Sequence, residues 1–61
     1  MPFLPEELTA ALRRRPAVQR AFDALPPSHQ REYVKWIAEA KRAETRAARA
    51  AKTVAKLAAR T

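Results

Sequence analysis

The residues that could support acid–base or nucleophilic chemistry are few in this sequence. His29 is its only histidine, and cysteine and glycine are absent. An activated nucleophile needs a base within hydrogen-bonding reach, and the sequence offers His29 no cysteine or second histidine as a partner. Without glycine there is no glycine-rich loop to hold a phosphate. We therefore interpret His29 as a surface or capping residue near the start of a helix, and we expect no cofactor.

The carboxylates do not form a catalytic pair either. Glu6 and Glu7 are neighbours, which point to different sides of a helix. Glu32 and Glu39 are about two helical turns apart, which is far for two groups that act together. Since cysteine is absent, thiolate metal sites and disulfides are also excluded. The sequence therefore predicts a protein that is not an enzyme.

The distribution of positive charge is the feature that indicates a function. Residues 1–40 carry a net charge of +1 and residues 41–61 a net charge of +6, which together give the formal +7. In a helix, cations that recur every three or four residues lie on one side. Six residues follow this spacing: Arg42, Arg46, Arg49, Lys52, Lys56 and Arg60. A second basic cluster consists of Arg13, Arg14 and Arg15.

Three interpretations of this basic stripe are open. It could follow a phosphate backbone, where each contact releases counterions. It could instead be a solvated face that keeps an alanine-rich helix soluble, and Arg13–Arg15 could simply complement a helix dipole. Binding to a membrane surface is disfavoured, because only Val54 and Leu57 exceed alanine in size on the apolar side.

The elements that must position these residues are helices separated by proline. All five prolines lie within the first 27 residues. We predict an all-α module of three to four helices at about 5–14, 16–24, 28–41 and 43–60, forming a single domain over residues 1–61. Pro5 and Pro16 suit first helical positions, and helix 3 begins either with Pro27 or with Ser28 as its cap. A turn near 41–43 is favoured over one unusually long helix from 28 to 60.

The apolar residues at helical spacing predict the core. Phe22, Tyr33 and Trp36 could stack on bases or line a ligand pocket, but so short a chain needs them for its interior. The apolar stripe of the last helix is predicted to consist of Ala47, Ala50, Ala51, Val54, Leu57 and Ala58. The whole predicted core comprises Leu8, Leu12, Val18, Phe22, Leu25, Tyr33, Trp36, Ile37, Val54 and Leu57.

Three motifs of the sequence are Phe-x-x-Leu at 22–25 before a Ser-His pair, Arg-Glu-Tyr-x-x-Trp-Ile at 31–37, and Ala-Lys-x-x-Glu-Thr-Arg-x-x-Arg at 40–49. Together they resemble the YdeI/OmpD-associated family, whose members are sometimes described as bacteriocin-protection proteins. The resemblance runs from about Leu8 to Leu57. It implies a compact helical unit that often follows a small β-rich domain, and it implies no particular chemistry. The family often has proline where this chain has Ala43, which supports a break there, although alanine makes a continuous helix easier.

Two functional hypotheses follow from these features. The first is a non-enzymatic binding module whose last helix contacts an anionic partner, either nucleic acid or a ribonucleoprotein such as the ribosome, through the backbone and without reading sequence. The second is a protein-interaction or self-assembly module that uses the alanine-rich face of that helix, linked to the family's envelope-stress and bacteriocin associations.

The N-terminus lacks the features of a secretory signal, and no apolar run approaches the ~20 residues of a membrane span, so we expect a cytoplasmic location.

Overall fold

The computed structural model describes the backbone of residues 4–60 and the side chains of residues 4–59. Within that range the chain forms four helices and no strand: α1 (Glu6–Arg13), α2 (Pro16–Asp23), α3 (Pro27–Ala38) and α4 (Ala43–Arg60). The predicted all-α fold is therefore confirmed. None of the described helices combines the length and the apolar character that crossing a membrane requires.

Proline marks the start of the first three helices. Pro16 and Pro27 are the first residues of α2 and α3, where the missing N–H leaves no donor unsatisfied. Pro5 lies just before α1, so this helix begins at Glu6 and not at Pro5 as predicted. Of the two predicted starts of helix 3, the structure has the one with Pro27 as the first residue. Pro26 occupies the capping position and makes no side-chain hydrogen bond, so Ser28 is not the cap.

The core forms where the three shorter helices pack against α4, which contacts each of them. Its buried members come from all four helices: Leu8, Leu12, Val18, Phe22, Ile37, Ala50, Val54 and Leu57. Three residues of the predicted core, Leu25, Tyr33 and Trp36, are only partly buried and pack against this cluster. The interior is therefore built mainly from aliphatic side chains, and the aromatic residues of α3 lie at its edge.

The buried face of α4 differs from the predicted one. Ala50, Thr53, Val54 and Leu57 are buried, which is the i, i+3, i+4, i+7 pattern of one helical face. Ala47 and Ala51 were predicted on that face but are exposed. Thr53 takes part instead, because its hydroxyl donates to the Arg49 carbonyl at 3.0 Å and so is satisfied without water. The buried face is thus rotated toward the basic stripe.

The chain breaks between α3 and α4, with α3 ending at Ala38, three residues before the predicted end at 41. Residues 39–42 form the connection. No described residue has a positive φ angle, so this helix does not end with the left-handed residue, usually glycine, that commonly satisfies the last carbonyl groups. The carbonyls of Lys35 and Ile37 accept from the backbone N–H groups of residues 39 and 40, and that of Trp36 accepts from Arg49 of α4.

Candidate functional site

The predicted basic stripe divides into two groups in the structure. Arg46 and Arg49 are half-buried and turn toward the other helices, whereas Arg42, Lys52 and Lys56 are exposed. The side chain of Arg60 lies outside the described residues. The stripe is therefore not one continuous surface for a partner, and its inward and outward members have different chemical surroundings.

Arg46 joins α4 to α1 and to the end of α3. Its Nε donates to Glu7 Oε2 at 3.2 Å, and its Nη1 donates to the carbonyls of Ala40 and Lys41, each at 3.0 Å. The side chains of Arg46 and Glu7 are 29% and 21% exposed, so the ion pair is only partly hydrated. These contacts engage most of the guanidinium N–H groups within the protein itself.

The pKa of Glu7 lies below its ordinary value. The largest cause is a hydrogen bond with its own backbone, and the hydrogen bond and charge of Arg46 lower the pKa further, while partial burial opposes both. Glu7 is in the first turn of α1, where a carboxylate also complements the positive end of the helix dipole. The carboxylate form is therefore favoured in the folded state, and it holds Arg46 in place.

Arg49 packs on the last turns of α3. Its Nη1 donates to the Trp36 carbonyl at 2.6 Å, and its guanidinium carbon lies 5.2 Å from the centre of the Trp36 ring. Such a stacked cation is attracted by the negative face of the indole. The contact fixes the Arg49 side chain along α3 and leaves it half-buried.

Arg46 and Arg49 both supply donors where α3 ends: Arg49 reaches the Trp36 carbonyl in the last turn, and Arg46 reaches the Ala40 and Lys41 carbonyls in the connection to α4. Carbonyls at the C-terminal end of a helix carry partial negative charge, which cations satisfy well. Gln30 ends α2 in a similar way, because its amide donates to the carbonyls of Phe22 at 2.9 Å and Asp23 at 3.3 Å. A chain without glycine thus ends two of its helices with side chains from the following helix.

The exposed cations are largely unneutralised. Arg42 and Glu44 approach to 3.5 Å with side chains 81% and 77% exposed, a kind of pair that contributes little to stability. Over residues 4–59, where side chains are described, this pair and Arg46–Glu7 are the only salt bridges. Lys52 and Lys56 on α4 are exposed, as are Arg13 at the end of α1 and Arg14 and Arg15 in the connection to α2.

An open cleft lies between α3 and α4 beside the exposed lysines. It has a volume of about 480 Å³ and is lined by His29, Glu32, Tyr33, Trp36 and Lys56. The four α3 residues are spaced i, i+3, i+4 and i+7, which places them on one face. Tyr33 and Trp36 therefore pack on the core with one part and line the cleft with another.

From the sequence, His29 was interpreted as a surface or capping residue, and a ligand pocket at Tyr33 and Trp36 was considered but a core position was favoured. The signal was present in the spacing of residues 29, 32, 33 and 36, where polar and aromatic side chains share one helical face. What the sequence did not give was the position of α4, whose Lys56 closes the opposite side of the cleft.

The chain matches the family described as "Bacteriocin-protection, YdeI or OmpD-Associated" over residues 3–60. It is also similar to an uncharacterized protein of Bacillus subtilis (strain 168), YdeI, with 41% identity over 54 residues. That alignment covers 88% of this chain and 27% of the relative, so the chain spans about a quarter of the length of that protein. No solved structure matches the chain.

Proposed function

The chain belongs to the YdeI/OmpD-associated family, and we propose that within it this helical unit is a non-enzymatic binding module for a polyanionic partner, namely nucleic acid or a ribonucleoprotein such as the ribosome. The observation that carries the proposal is the excess of exposed cations that form no salt bridge among the residues whose side chains are described. Five of them form two groups, Arg13–Arg15 and the pair Lys52 and Lys56. A surface of this kind is neutralised best by a partner with closely spaced negative charges.

Phosphate contacts explain why this partner is favoured. Each cation that meets a phosphate releases condensed counterions, which gives binding energy without reading the bases. If all five cations met a phosphate of duplex DNA, log affinity would fall with log salt with a slope of about −4.5. That slope corresponds to a ~500-fold loss of affinity when salt rises from roughly 50 to roughly 200 mM.

The test is a salt titration of binding to a labelled nonspecific RNA and a nonspecific DNA duplex, followed by fluorescence anisotropy. The informative variants are Lys52→Ala/Lys56→Ala and a triple alanine variant of Arg13, Arg14 and Arg15. Arg46 and Arg49 are unsuitable targets, because their loss would disturb the junction of α3 and α4. A matched control is Arg20→Ala/Lys35→Ala, which also removes two exposed charges but from α2 and α3.

The proposal expects a steep salt dependence for the wild-type protein and a clear decrease in affinity and slope for both test variants. The control variant should lose only the small part of the affinity that depends on the overall net charge. Absence of binding to either nucleic acid at low salt would refute the proposal. Equal losses in the control and in the Lys52/Lys56 variant would refute the assignment of the surface, because net charge alone would then explain the binding.

A second candidate function is supported by the outer face of α4. Ala48, Ala51, Ala55 and Ala59 are exposed at spacings of three and four residues, so they form a line of small side chains facing away from the core. Small residues let another helix approach closely, and added burial would stabilise so short a chain. A protein-interaction or self-assembly module would use this line. It requires oligomers or complexes that persist at high salt, and an Ala51→Glu/Ala55→Glu variant should dissociate them in light-scattering measurements.

A further inference from the structure

We propose that the cleft between α3 and α4 binds an unstacked base of single-stranded nucleic acid, with the flanking phosphate on Lys56. This inference rests on the proposed function and names the form of nucleic acid that the unit prefers. It requires three features in one place: a flat aromatic wall, a cation at the rim, and a hydrogen-bonding group that can reach the edge of a base.

The aromatic wall is provided by Tyr33 and Trp36. Both are half-buried, pack against the core and line the cleft, so they present ring surface that is held in position from behind. Arg49 lies on Trp36 and is fixed by its hydrogen bond to the Trp36 carbonyl, which adds positive charge beside the wall. Bases stack on aromatic rings and on guanidinium planes in proteins that bind single strands.

The rim supplies the polar contacts. Lys56 is exposed and lines the cleft, and Lys52 lies one helical turn before it, so a strand leaving the cleft can meet a second cation. Glu32 also lines the cleft, and a carboxylate only accepts hydrogen bonds. It therefore favours bases with an exocyclic amino donor, such as cytosine, over thymine or uracil, where the one N–H donor of that edge lies between two carbonyl oxygens that repel a carboxylate.

A base in a duplex would not fit this arrangement. Stacking on Tyr33 and Trp36 requires a base that has left its own stack, and the cleft, at about 480 Å³, is of the size that holds a small ligand and not a helix of nucleic acid. The exposed cations outside the cleft would still contact a duplex through its phosphates. The cleft thus adds a preference for single strands to a general affinity for phosphate.

The intrinsic fluorescence of Trp36 makes the cleft directly observable, since the chain has one tryptophan. The probes are an oligo-dC strand, an oligo-dT strand and an abasic strand of the same length, which carries the same phosphates without bases. Affinity for oligo-dC should exceed that for the abasic strand by at least ~5-fold, because each stacked base adds to binding. Trp36 emission should change with oligo-dC and stay constant with the abasic strand.

Four variants separate the contacts. Tyr33→Leu keeps an apolar side chain but removes the ring, and should abolish the preference for oligo-dC over the abasic strand. Glu32→Gln should abolish the preference for oligo-dC over oligo-dT. Lys56→Gln should weaken all strands more than the matched Lys52→Gln. Glu32 and Lys56 are exposed, so these two variants test the cleft even if Tyr33→Leu fails to fold.

The outcomes distinguish this inference from the proposed function. Equal affinity for oligo-dC and the abasic strand, with unchanged Trp36 emission, would overturn the base-binding cleft and leave general phosphate binding standing. Tighter binding to a duplex than to any single strand would overturn it as well. No binding of any strand or duplex at low salt would overturn the proposed function, and the cleft assignment with it.

Discussion

Replacing Arg49 by alanine tests whether a residue of the basic stripe caps α3. The substitution removes the 2.6 Å hydrogen bond from Nη1 to the Trp36 carbonyl and the stacking of the guanidinium on the Trp36 ring at 5.2 Å. A hydrogen bond from a charged donor contributes about 1.5–3 kcal/mol, and the lower end applies because the contact is only partly buried. The stacked cation adds about 0.5–1 kcal/mol at a site of this exposure.

The expected loss of unfolding free energy for Arg49→Ala is therefore about 2 kcal/mol. Alanine is a slightly better helix former than arginine, which offsets only about 0.2 kcal/mol. In a domain of this size, 1 kcal/mol shifts Tm by roughly 4–8 °C, so the variant should melt roughly 8–16 °C below the wild type. Arg49→Lys keeps the charge but loses the planar group, and it should recover about half of the loss.

Urea and thermal unfolding followed by circular dichroism measure this effect. Circular dichroism is preferred to tryptophan fluorescence, because the substitution changes the surroundings of the Trp36 ring itself. The matched control is Lys52→Ala, an exposed cation three residues further along the same helix, which should stay within ~0.5 kcal/mol of the wild type. If Arg49→Ala is as stable as Lys52→Ala, the guanidinium does not cap α3 and the assignment is refuted.

Three further predictions concern the fold. The pKa of Glu7 is lowered from its ordinary 4.5, so its carboxylate stabilises the fold above that pH and loses this contribution as pH falls through the lowered value. Glu7→Gln should therefore flatten the decrease in Tm on acidification. An unchanged pH profile of Tm would contradict the pairing of Glu7 with Arg46. Ala43→Pro places proline at the first position of α4 and should leave the free energy of unfolding unchanged or raise it by up to ~1 kcal/mol. Ala47→Pro, inside the same helix, should cost ~3 kcal/mol or more in the same denaturation assay. Equal losses for the two variants would contradict the helix start at Ala43. Leu57→Ala should cost about 2–5 kcal/mol and leave little cooperative unfolding, and a smaller loss would show that the site collapses around the missing side chain.

The sequence was sufficient to predict the helices, because proline and helical spacing act locally. Pro16 and Pro27 begin helices as predicted, and residues such as Leu8 and Leu12 are buried as their spacing required. The face of α4 was harder, since alanine is compatible with both the interior and the surface. Ala50 is buried while Ala51 is exposed, and only the position of α4 against the three shorter helices decides between them.

The direction of the basic side chains depended even more on tertiary structure. A helical wheel places Arg46, Arg49, Lys52 and Lys56 on one side of α4, but it contains no information on what lies next to that side. The end of α3 and the connection after it lie beside Arg46 and Arg49, so these two turn inward to backbone carbonyls there. Lys52 and Lys56 lie further along α4, away from that end, and are exposed. Equal spacing along the sequence therefore gave unequal roles.

This division bears on how the family resemblance should be interpreted. The Glu-Thr-Arg-x-x-Arg motif contains Arg46 and Arg49, and the Arg-Glu-Tyr-x-x-Trp-Ile motif contains Trp36, whose carbonyl and ring both contact Arg49. Arg46, Arg49 and Trp36 thus join α3 to α4 without glycine, and the second motif also places Glu32, Tyr33 and Trp36 along the cleft. Lys52 and Lys56, the exposed lysines that we propose contact a partner, lie outside these motifs. A family member with the same arginines but without those lysines should therefore fold in the same way and bind nucleic acid weakly.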